Sequence, residues 1–258
     1  MNEEIIKPEN IVYQRTKALF PQDFHYCPGC GHGTVHKLFM EVLEEMGIVN
    51  ETIGVAPVGC SVFAYHYMNV DMQQAPHGRA CAIATGIKRV LPNKYVFTYQ
   101  GDGDLAAIGT GETIHAANRG ENFLAIFINN GIYGMTNGQM APTTLPGMKA
   151  STCPHGRDVE TMGHPLIMSN LMKEMPGVAY ITRHSVHKVG NIRKLKNAFK
   201  TALEYQKQGL GFCMVEVVTN CPSNMKQTAV ESNEFVDKQM IPFYPLGDIK
   251  VPNQTEGK

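Results

Sequence analysis

The stretch YQGDGDLAAIGTGETIHAANRGENFLAIFINNGIYG, at positions 99–134, places the strongest limits on how this chain can fold. An apolar run at 94–100 ends in Gly-Asp-Gly, and a second apolar run at 123–129 ends in an Asn-Asn pair. A glycine-containing helical pattern lies between the two runs. Because the carboxyl ends of parallel strands meet at one edge of a sheet, Asp102 and Asn130 are predicted to face a common site.

Short apolar runs alternate with longer helical patterns along most of the chain. This alternation is typical of an α/β protein whose mainly parallel sheet carries helices on both faces. We expect residues 1–235 to form a single domain and the tail 236–258, with its scattered prolines, to be an arm on a surface. The Gly-, Pro- and Thr-rich segment 131–163 is predicted to be a long loop that closes over a substrate. Strands are predicted at 52–59, 94–100, 123–129, 178–183 and 212–218, and helices at 34–47, 80–91, 105–120, 164–175 and around Ile192, Leu195, Phe199 and Leu203.

Composition excludes several classes of partner. Lys plus Arg and Asp plus Glu each number 23, so no excess charge attracts nucleic acid or anionic lipid. No apolar run approaches the roughly 18 residues that a membrane span requires. The N-terminus, MNEEIIKPEN, lacks the plan of a signal peptide. We expect a cytoplasmic protein that binds neither nucleic acid nor membrane.

The residue types after the two strands suit a magnesium and diphosphate site. Carboxylate and amide oxygens from Asp102 and Asn130, with phosphate oxygens and water, can complete the octahedral shell of Mg²⁺. Gly101 and Gly103 allow close approach of the backbone to a phosphate, and the helix starting near Leu105 directs its N-terminal amides at the same place. The alternative interpretation is that each motif is only a tight turn between strands.

The seven cysteines, an odd number, indicate thiols and metal ligands more than a disulfide framework. Cys27 and Cys30 have CxxC spacing, whereas Cys60 and Cys221 each follow a predicted strand. Four thiolates meeting at that sheet edge would suit an iron-sulfur (4Fe-4S) cluster or a tetrahedral Zn²⁺, and the spacing leaves both open. The remaining cysteines are expected to be ordinary buried or loop residues: Cys81, Cys153 and Cys213.

Gly-Asp-Gly and Asn-Asn, separated by a helix and a strand, resemble the signature of thiamine diphosphate enzymes. The further segments CPGCGHG, VGCS, HGRACAIATGIK, NNGIYGMTNGQMAPTT and NCPS occur in the order typical of one family. On these motifs, which span about 200 residues, the chain resembles the β subunit of 2-oxoacid:ferredoxin oxidoreductases. The resemblance implies the thiamine diphosphate-binding fold.

The resemblance also assigns roles to individual residues. It implies Mg²⁺ ligation by Asp102, Asn130 and the carbonyl of Ile132, and 4Fe-4S ligation by Cys27, Cys30, Cys60 and Cys221. Implied cofactor contacts are Val58, Gly59, Cys60, Ser61, His77, Gly78, Gly101, Gly103, Asp104, Gly134 and Met135. His77 and Thr136 are candidate catalytic residues, although His77 could instead lie in a solvated turn. His32 and His36 are expected to be structural or solvated, because no acid stands between them as in a zinc HExxH motif.

The implied activity is the oxidative decarboxylation of a 2-oxoacid with coenzyme A to acyl-CoA and CO₂, with electrons passing through the cluster to ferredoxin. The implied partners are an α subunit with a pyrimidine-binding domain and an activating glutamate, and small γ and ferredoxin-like subunits. We expect 2-oxoisovalerate as the substrate, with 2-oxoglutarate as the alternative. A non-redox thiamine-dependent decarboxylase subunit would not need the four cysteines, and a zinc-stapled scaffold would not need Asp102 and Asn130.

Overall fold

The computed structural model describes residues 7–252, and its centre is a seven-stranded sheet. In chain order the strands are β1 (Thr52–Ala56), β2 (Asp71–Gln74), β3 (Tyr95–Gly101), β4 (Leu124–Asn129), β5 (Ile132–Tyr133), β6 (Gln139–Met140), β7 (Val178–Ser185), β8 (Phe212–Val218) and β9 (Gly247–Lys250). The sheet order is β2-β1-β3-β4-β8-β7-β9, in which only β9 is antiparallel. Strands β5 and β6 form a separate short hairpin.

Helices connect the parallel strands. They are α1 (His32–Glu45), α2 (Ala80–Val90), α3 (Thr110–Arg119), α4 (Val159–Met162), α5 (Met168–Met172), α6 (Val189–Lys207), α7 (Pro222–Met225), α8 (Ala229–Phe235) and α9 (Ile241–Phe243). A π-helical turn, Asp104–Ile108, precedes α3, and another, Val236–Met240, follows α8. Short 3₁₀ turns lie at Pro8–Asn10, Val49–Glu51 and Ala64–His66.

Successive residues of the central strands face opposite layers of helices, as the pleat of a strand requires. Phe97 of β3 packs against Phe39 of α1, with ring centroids 4.7 Å apart, and Phe39 also contacts Phe199 of α6. Val96 faces the other side, in the core that includes Ala84 of α2 and residues of α3 and α5. The predicted α/β class, with helices on both faces of a mainly parallel sheet, is confirmed.

The five predicted strands are present, but two more join the sheet. β2 and β9 were not predicted because they are short edge strands with polar sequences, DMQQ and GDIK. β1 ends at Ala56, before Pro57, and not at residue 59. The helix predicted at 164–175 is limited to the five residues of α5.

The prediction that the tail is an arm on a surface is wrong for the described part of the tail. Val236, Met240 and Tyr244 are fully buried, and they pack with Ile132 in a core cluster at the end of the sheet. β9 then pairs with β7. The prolines led to the wrong prediction, because here they lie beside or within short helical turns of a packed segment. Residues 253–258 of the predicted arm lie outside the described residues.

The segment 131–163 is long and largely irregular, as predicted, but it is packed in place. The guanidinium of Arg157, which is buried, donates to the carbonyl oxygens of Pro142, Thr144, Gly163 and His164 at 2.8–2.9 Å. These bonds join parts of the segment to one another, and further hydrogen bonds join Thr143 to Asp102 and Tyr244.

No helix within residues 7–252 is long and apolar enough to cross a membrane.

Candidate cofactor and metal site

A cavity of about 240 Å³ opens at the carboxyl edge of the sheet, where β1, β3 and β4 end. Of the residues predicted to contact the cofactor, Mg²⁺ or substrate near this edge, all except Gly78 line the cavity. Three residues that were not predicted as contacts also line it: His32, Ile108 and Tyr133. The structure therefore brings the predicted site residues from four separate loops into one place.

Asp102 is the buried acid of this cavity, with 3% of its surface exposed. Its Oδ1 accepts a hydrogen bond from the backbone N–H of Gly103 at 2.9 Å, and its Oδ2 accepts one from Thr143 Oγ1 at 2.9 Å. Burial raises the pKa of this carboxyl group to about 7, while the hydrogen bonds act in the opposite direction. A buried carboxylate without a basic partner is costly unless a cation lies beside it, so the residue fits a metal ligand.

Asn130 supplies the amide, and the two asparagines of the pair point in different directions. Asn130 lines the cavity, and its Oδ1 accepts from the N–H of Ile132 at 3.2 Å. Asn129 instead donates to Glu216 Oε1 at 2.8 Å inside the protein. Gly131, which separates the asparagine pair from Ile132, has φ +71°, and this conformation allows the chain to turn back. Asp102 and Asn130, whose side-chain oxygens are of the type that a hard cation takes, thus line the cavity together with Ile132.

Asp104 ties together three loops that surround the cavity. Its Oδ1 accepts from the N–H groups of Val58 and Gly78, at 3.2 and 2.9 Å, and lies 2.7 Å from His77 Nδ1. Its Oδ2 accepts from Gln100 at 2.7 Å. Gly78 does not line the cavity, but this bond connects it to Asp104, which does. With Nδ1 engaged by a carboxylate, His77 keeps Nε2 for a ligand.

Two of the four predicted thiols, those of Cys60 and Cys221, lie beside Gly134, which lines the cavity. A Cβ atom at Gly134 would lie 2.9 Å from Cys60 Sγ and 3.4 Å from Cys221 Sγ. Cys60 also interacts electrostatically with Cys30 and Cys27. Cys60 lines the same cavity as Asp102, so the thiol group and the acid share a wall.

Side-chain hydrogen bonds hold these remote thiols together. Asn220, beside Cys221, donates to the carbonyl of Gly29 at 2.9 Å and accepts from the N–H of Gly31 at 3.1 Å, which fixes the CxxC loop. His25 Nε2 lies 2.8 Å from the carbonyl oxygen of Cys60. The N-terminal loop is thereby attached to the ends of both β1 and β8.

The four thiols differ in exposure: Cys221 is buried, Cys30 and Cys60 are partly buried, and Cys27 is exposed. Burial, with a smaller contribution from neighbouring thiols, raises the pKa of both Cys30 and Cys60 to about 12, and burial also raises the pKa of Cys221. A single Zn²⁺ would hold its thiolates roughly 3.8 Å apart, from Zn–S bonds of about 2.3 Å. Within residues 7–252, no three His, Cys, Asp or Glu side chains are close enough to hold one metal ion.

Other sequence predictions have the following outcomes. Cys81, Cys153 and Cys213 are buried, as expected, although Cys153 lies in the same core cluster as Cys221. His32 and His36 are buried and hydrogen-bonded to Tyr99 and Tyr26, as a structural role requires, although His32 also reaches the cavity wall. Thr136 lines the cavity, but its hydroxyl is bonded to Gln139. Sequence reasoning missed Thr143, Asn220 and Asn224; the only available signal was their position beside a motif.

The chain was compared with known proteins. A family described as thiamine pyrophosphate enzyme, C-terminal TPP binding domain, matches residues 57–217. Ketoisovalerate oxidoreductase subunit VorA of Methanothermobacter marburgensis is 45% identical over 97% of this chain and 53% of that protein. The chain thus spans about half the length of this relative. The 2-oxoglutarate synthase subunit KorB of Methanocaldococcus jannaschii is 40% identical over 77% of this chain and 69% of that protein.

A solved structure has a similar fold. It is the 2-oxoglutarate:ferredoxin oxidoreductase from Magnetococcus marinus with 2-oxoglutarate, coenzyme A and succinyl-CoA bound, with a TM-score of 0.72 and 27% identity. The similarity covers 85% of this chain and 71% of that chain. The matched family, the relatives and the cavity with its acid and amide at the strand ends agree. The chain belongs to the thiamine pyrophosphate-binding subunits of the 2-oxoacid:ferredoxin oxidoreductases.

Proposed function

We propose that this chain binds Mg²⁺-thiamine diphosphate and a 4Fe-4S cluster side by side, and oxidatively decarboxylates a 2-oxoacid together with partner subunits. The products are acyl-CoA and CO₂, and the electrons pass to ferredoxin. The observation that carries this proposal is a single cavity whose wall includes Asp102, Asn130 and Cys60. Such a wall serves both a diphosphate-bound metal and a thiolate-bound cluster.

The metal half of the proposal uses oxygen ligands only. Asp102, Asn130 and the Ile132 carbonyl would hold Mg²⁺, and two phosphate oxygens and a water would complete six ligands. Thr143 and the N–H of Gly103 hold the Asp102 carboxylate in its orientation. Gly101 and Gly103 leave space for the phosphates beside the backbone.

The cluster half of the proposal uses Cys27, Cys30, Cys60 and Cys221. Cys60 and Cys221 lie beside Gly134, and Cys27 and Cys30 are near enough to Cys60 to raise the pKa of its thiol, which supports a shared 4Fe-4S cluster. A zinc-stapled scaffold would have no use for Asp102 and Asn130 in the cavity that Cys60 lines. A non-redox decarboxylase would have no use for these thiols. The cysteine arrangement therefore favours the oxidoreductase over both rival functions.

When bound, thiamine diphosphate supplies the carbanion stabilisation that a 2-oxoacid needs in order to lose CO₂. The chain's own residues bind and orient the cofactor and the substrate. Asp104 fixes the ring of His77 through Nδ1, which leaves Nε2 available to a ligand in the cavity. The backbone around Gly59 and Cys60 lies in the cavity wall and sets the distance between the two cofactors.

A partner subunit is proposed to complete the cavity. The cavity volume is below the roughly 300–1,000 Å³ of typical ligand sites, and Ile108 and Met135 on its wall are each about half exposed. Within residues 7–252, no glutamate lines the cavity. These features support an α subunit that covers the apolar rim and supplies the activating glutamate and the pyrimidine-binding domain. Small γ and ferredoxin-like subunits belong to the same proposal.

The proposed substrate is 2-oxoisovalerate. In the described part of the chain, neither lysine nor arginine lines the cavity, so no permanently charged cationic side chain there would pair with the second carboxylate of 2-oxoglutarate. The apolar side chains of Ile108 and Met135 suit a branched alkyl group instead. The relatives named as ketoisovalerate oxidoreductase subunits support the same choice.

Metal analysis of the anaerobically purified complex tests the cofactor assignment. We expect brown protein with about four iron per cluster site, loss of this iron in Cys60→Ser, and retention in the control Cys213→Ser. Cys213 is a buried cysteine in another core cluster, and its Sγ donates to the carbonyl oxygen of Gly211. Colourless wild-type protein containing zinc would contradict the proposal.

Ferredoxin reduction tests the substrate. The complex, supplied with coenzyme A, is expected to reduce ferredoxin faster with 2-oxoisovalerate than with 2-oxoglutarate. Faster reduction with 2-oxoglutarate would reverse the substrate assignment and leave the cofactor assignment intact.

A further inference from the structure

Asn224 is a half-buried residue of α7 whose side chain connects the two halves of the proposed site. Its Nδ2 donates to the carbonyl oxygen of Gly134 at 2.8 Å. The same nitrogen lies 3.4 Å from Cys221 Sγ, within hydrogen-bond distance for sulfur. One amide group thus contacts both a turn of the cofactor cavity and a cysteine of the thiol group.

Two glycines leave the space that this amide occupies. A Cβ atom at Gly138, which has φ +81°, would lie 3.0 Å from Asn224 Oδ1. A Cβ atom at Gly134 would lie 3.7 Å from Asn224 Nδ2 and closer still to two of the sulfurs. The turn 134–138 therefore packs directly on the Asn224 amide, and any side chain on its glycines would separate the two.

The turn itself reaches the cofactor side of the cavity. Gly134, Met135 and Thr136 line the cavity beside Asp102 and Asn130. The turn is closed by a hydrogen bond from the N–H of Gly138 to the carbonyl of Tyr133 at 2.9 Å. Because Asn224 binds the Gly134 carbonyl, it fixes the position of the turn 134–138 relative to Cys221.

We propose that Asn224 is a positioning residue that links the cofactor turn 134–138 to the Cys221 thiolate and raises the reduction potential of the cluster. An N–H group directed at a cluster thiolate stabilises the reduced, more negative form of the cluster. The bond to Gly134 holds the turn at the distance at which both cofactors fit. This inference rests on the proposed function, because it requires a cluster at the four cysteines.

The test compares three variants of the complete complex, purified anaerobically. Asn224→Leu keeps the branched shape of the side chain and removes the donor, whereas Asn224→Asp replaces the donor with a negative charge. Ser223→Ala is the control, because Ser223 is exposed in the same helix and its hydroxyl makes no hydrogen bond to the cluster cysteines or the turn. The readouts are the cluster potential, from a redox titration followed by electron paramagnetic resonance, and the dissociation constant of thiamine diphosphate.

We expect the cluster potential to become more negative in Asn224→Leu and more negative still in Asn224→Asp. Thiamine diphosphate binding should weaken several-fold in both variants, and Ser223→Ala should match wild type. Clusters elsewhere in the complex serve as an internal reference, since Asn224 does not contact them. If Asn224→Leu fails to retain iron, Asn224→Ser removes the amide with less steric change and is measured in its place.

Unchanged potentials in iron-loaded Asn224 variants would overturn this inference while leaving the proposed function intact. Wild-type complex without iron at these cysteines would instead overturn the proposed function. A change in thiamine diphosphate affinity without a change in potential would limit Asn224 to holding the turn and would also contradict the proposal.

Discussion

Replacing Thr143 with valine removes the hydroxyl that holds Asp102 without changing the size of the side chain. Thr143 is fully buried, and its Oγ1 donates to Asp102 Oδ2 at 2.9 Å. Loss of a partner that orients a metal ligand typically lowers metal affinity about 10–100-fold. We expect Mg²⁺ affinity to fall by the lower end of this range, roughly tenfold or about 1.4 kcal/mol, because the backbone N–H of Gly103 still donates to Asp102 Oδ1.

The affinity is measured by isothermal titration of Mg²⁺ into wild-type and Thr143→Val complexes saturated with thiamine diphosphate. The control is Thr182→Val, in which the lost hydroxyl is also buried but donates to the carbonyl of Gly247 in the β7–β9 pair. This control should lose similar stability and keep wild-type affinity. Equal Mg²⁺ affinity in Thr143→Val and Thr182→Val would refute the role of Thr143 and weaken the assignment of Asp102 as a ligand.

Three further predictions follow from close contacts and charges. Gly134→Ala places a methyl group 2.9 Å from Cys60 Sγ, so the cluster should be lost or become labile, as iron analysis before and after gel filtration would reveal; iron retention equal to wild type would contradict this. Gly54→Ala places its methyl group 2.6 Å from Phe97 in the core and should cost about 1–3 kcal/mol in urea unfolding, whereas an unchanged midpoint would show that the core can relax. Although burial raises the pKa of Glu121, hydrogen bonds from two arginines lower it below its usual value overall. The stability advantage of wild type over Glu121→Gln should therefore be present above about pH 4.3 and decline as the pH falls through the lowered pKa; an advantage that is constant with pH would contradict this.

The sequence predicted those parts of the site that lie directly after strands. Asp102, Asn130, Cys60 and Cys221 each follow an apolar run, and such runs identify a buried strand locally. The parallel arrangement then brings their positions to one edge of the sheet. The core elements were predictable for the same reason, because their apolar patterns are contained in single segments.

The residues that hold the site in shape were not predictable, because their partners are remote in the chain. Thr143 bonds to a residue 41 positions away, Asn224 to one 90 positions away, and Asn220 to one 191 positions away. Each is an ordinary polar residue in its local sequence. The buried tail around Tyr244 escaped prediction similarly, since its hydrogen bond to the carbonyl of Thr143 spans 101 positions.

The central claim is that one cavity brings a metal held by Asp102 and Asn130 next to a cluster held by Cys60. Mn²⁺ accepts the same oxygen ligands as Mg²⁺ and has an electron paramagnetic resonance signal of its own. The decisive measurement records this signal in the Mn²⁺-thiamine diphosphate complex before and after the cluster is reduced. We predict faster relaxation of the Mn²⁺ signal on reduction, and no change in Cys60→Ser. An Mn²⁺ signal that is identical in the oxidised and reduced iron-loaded wild-type protein would contradict the account.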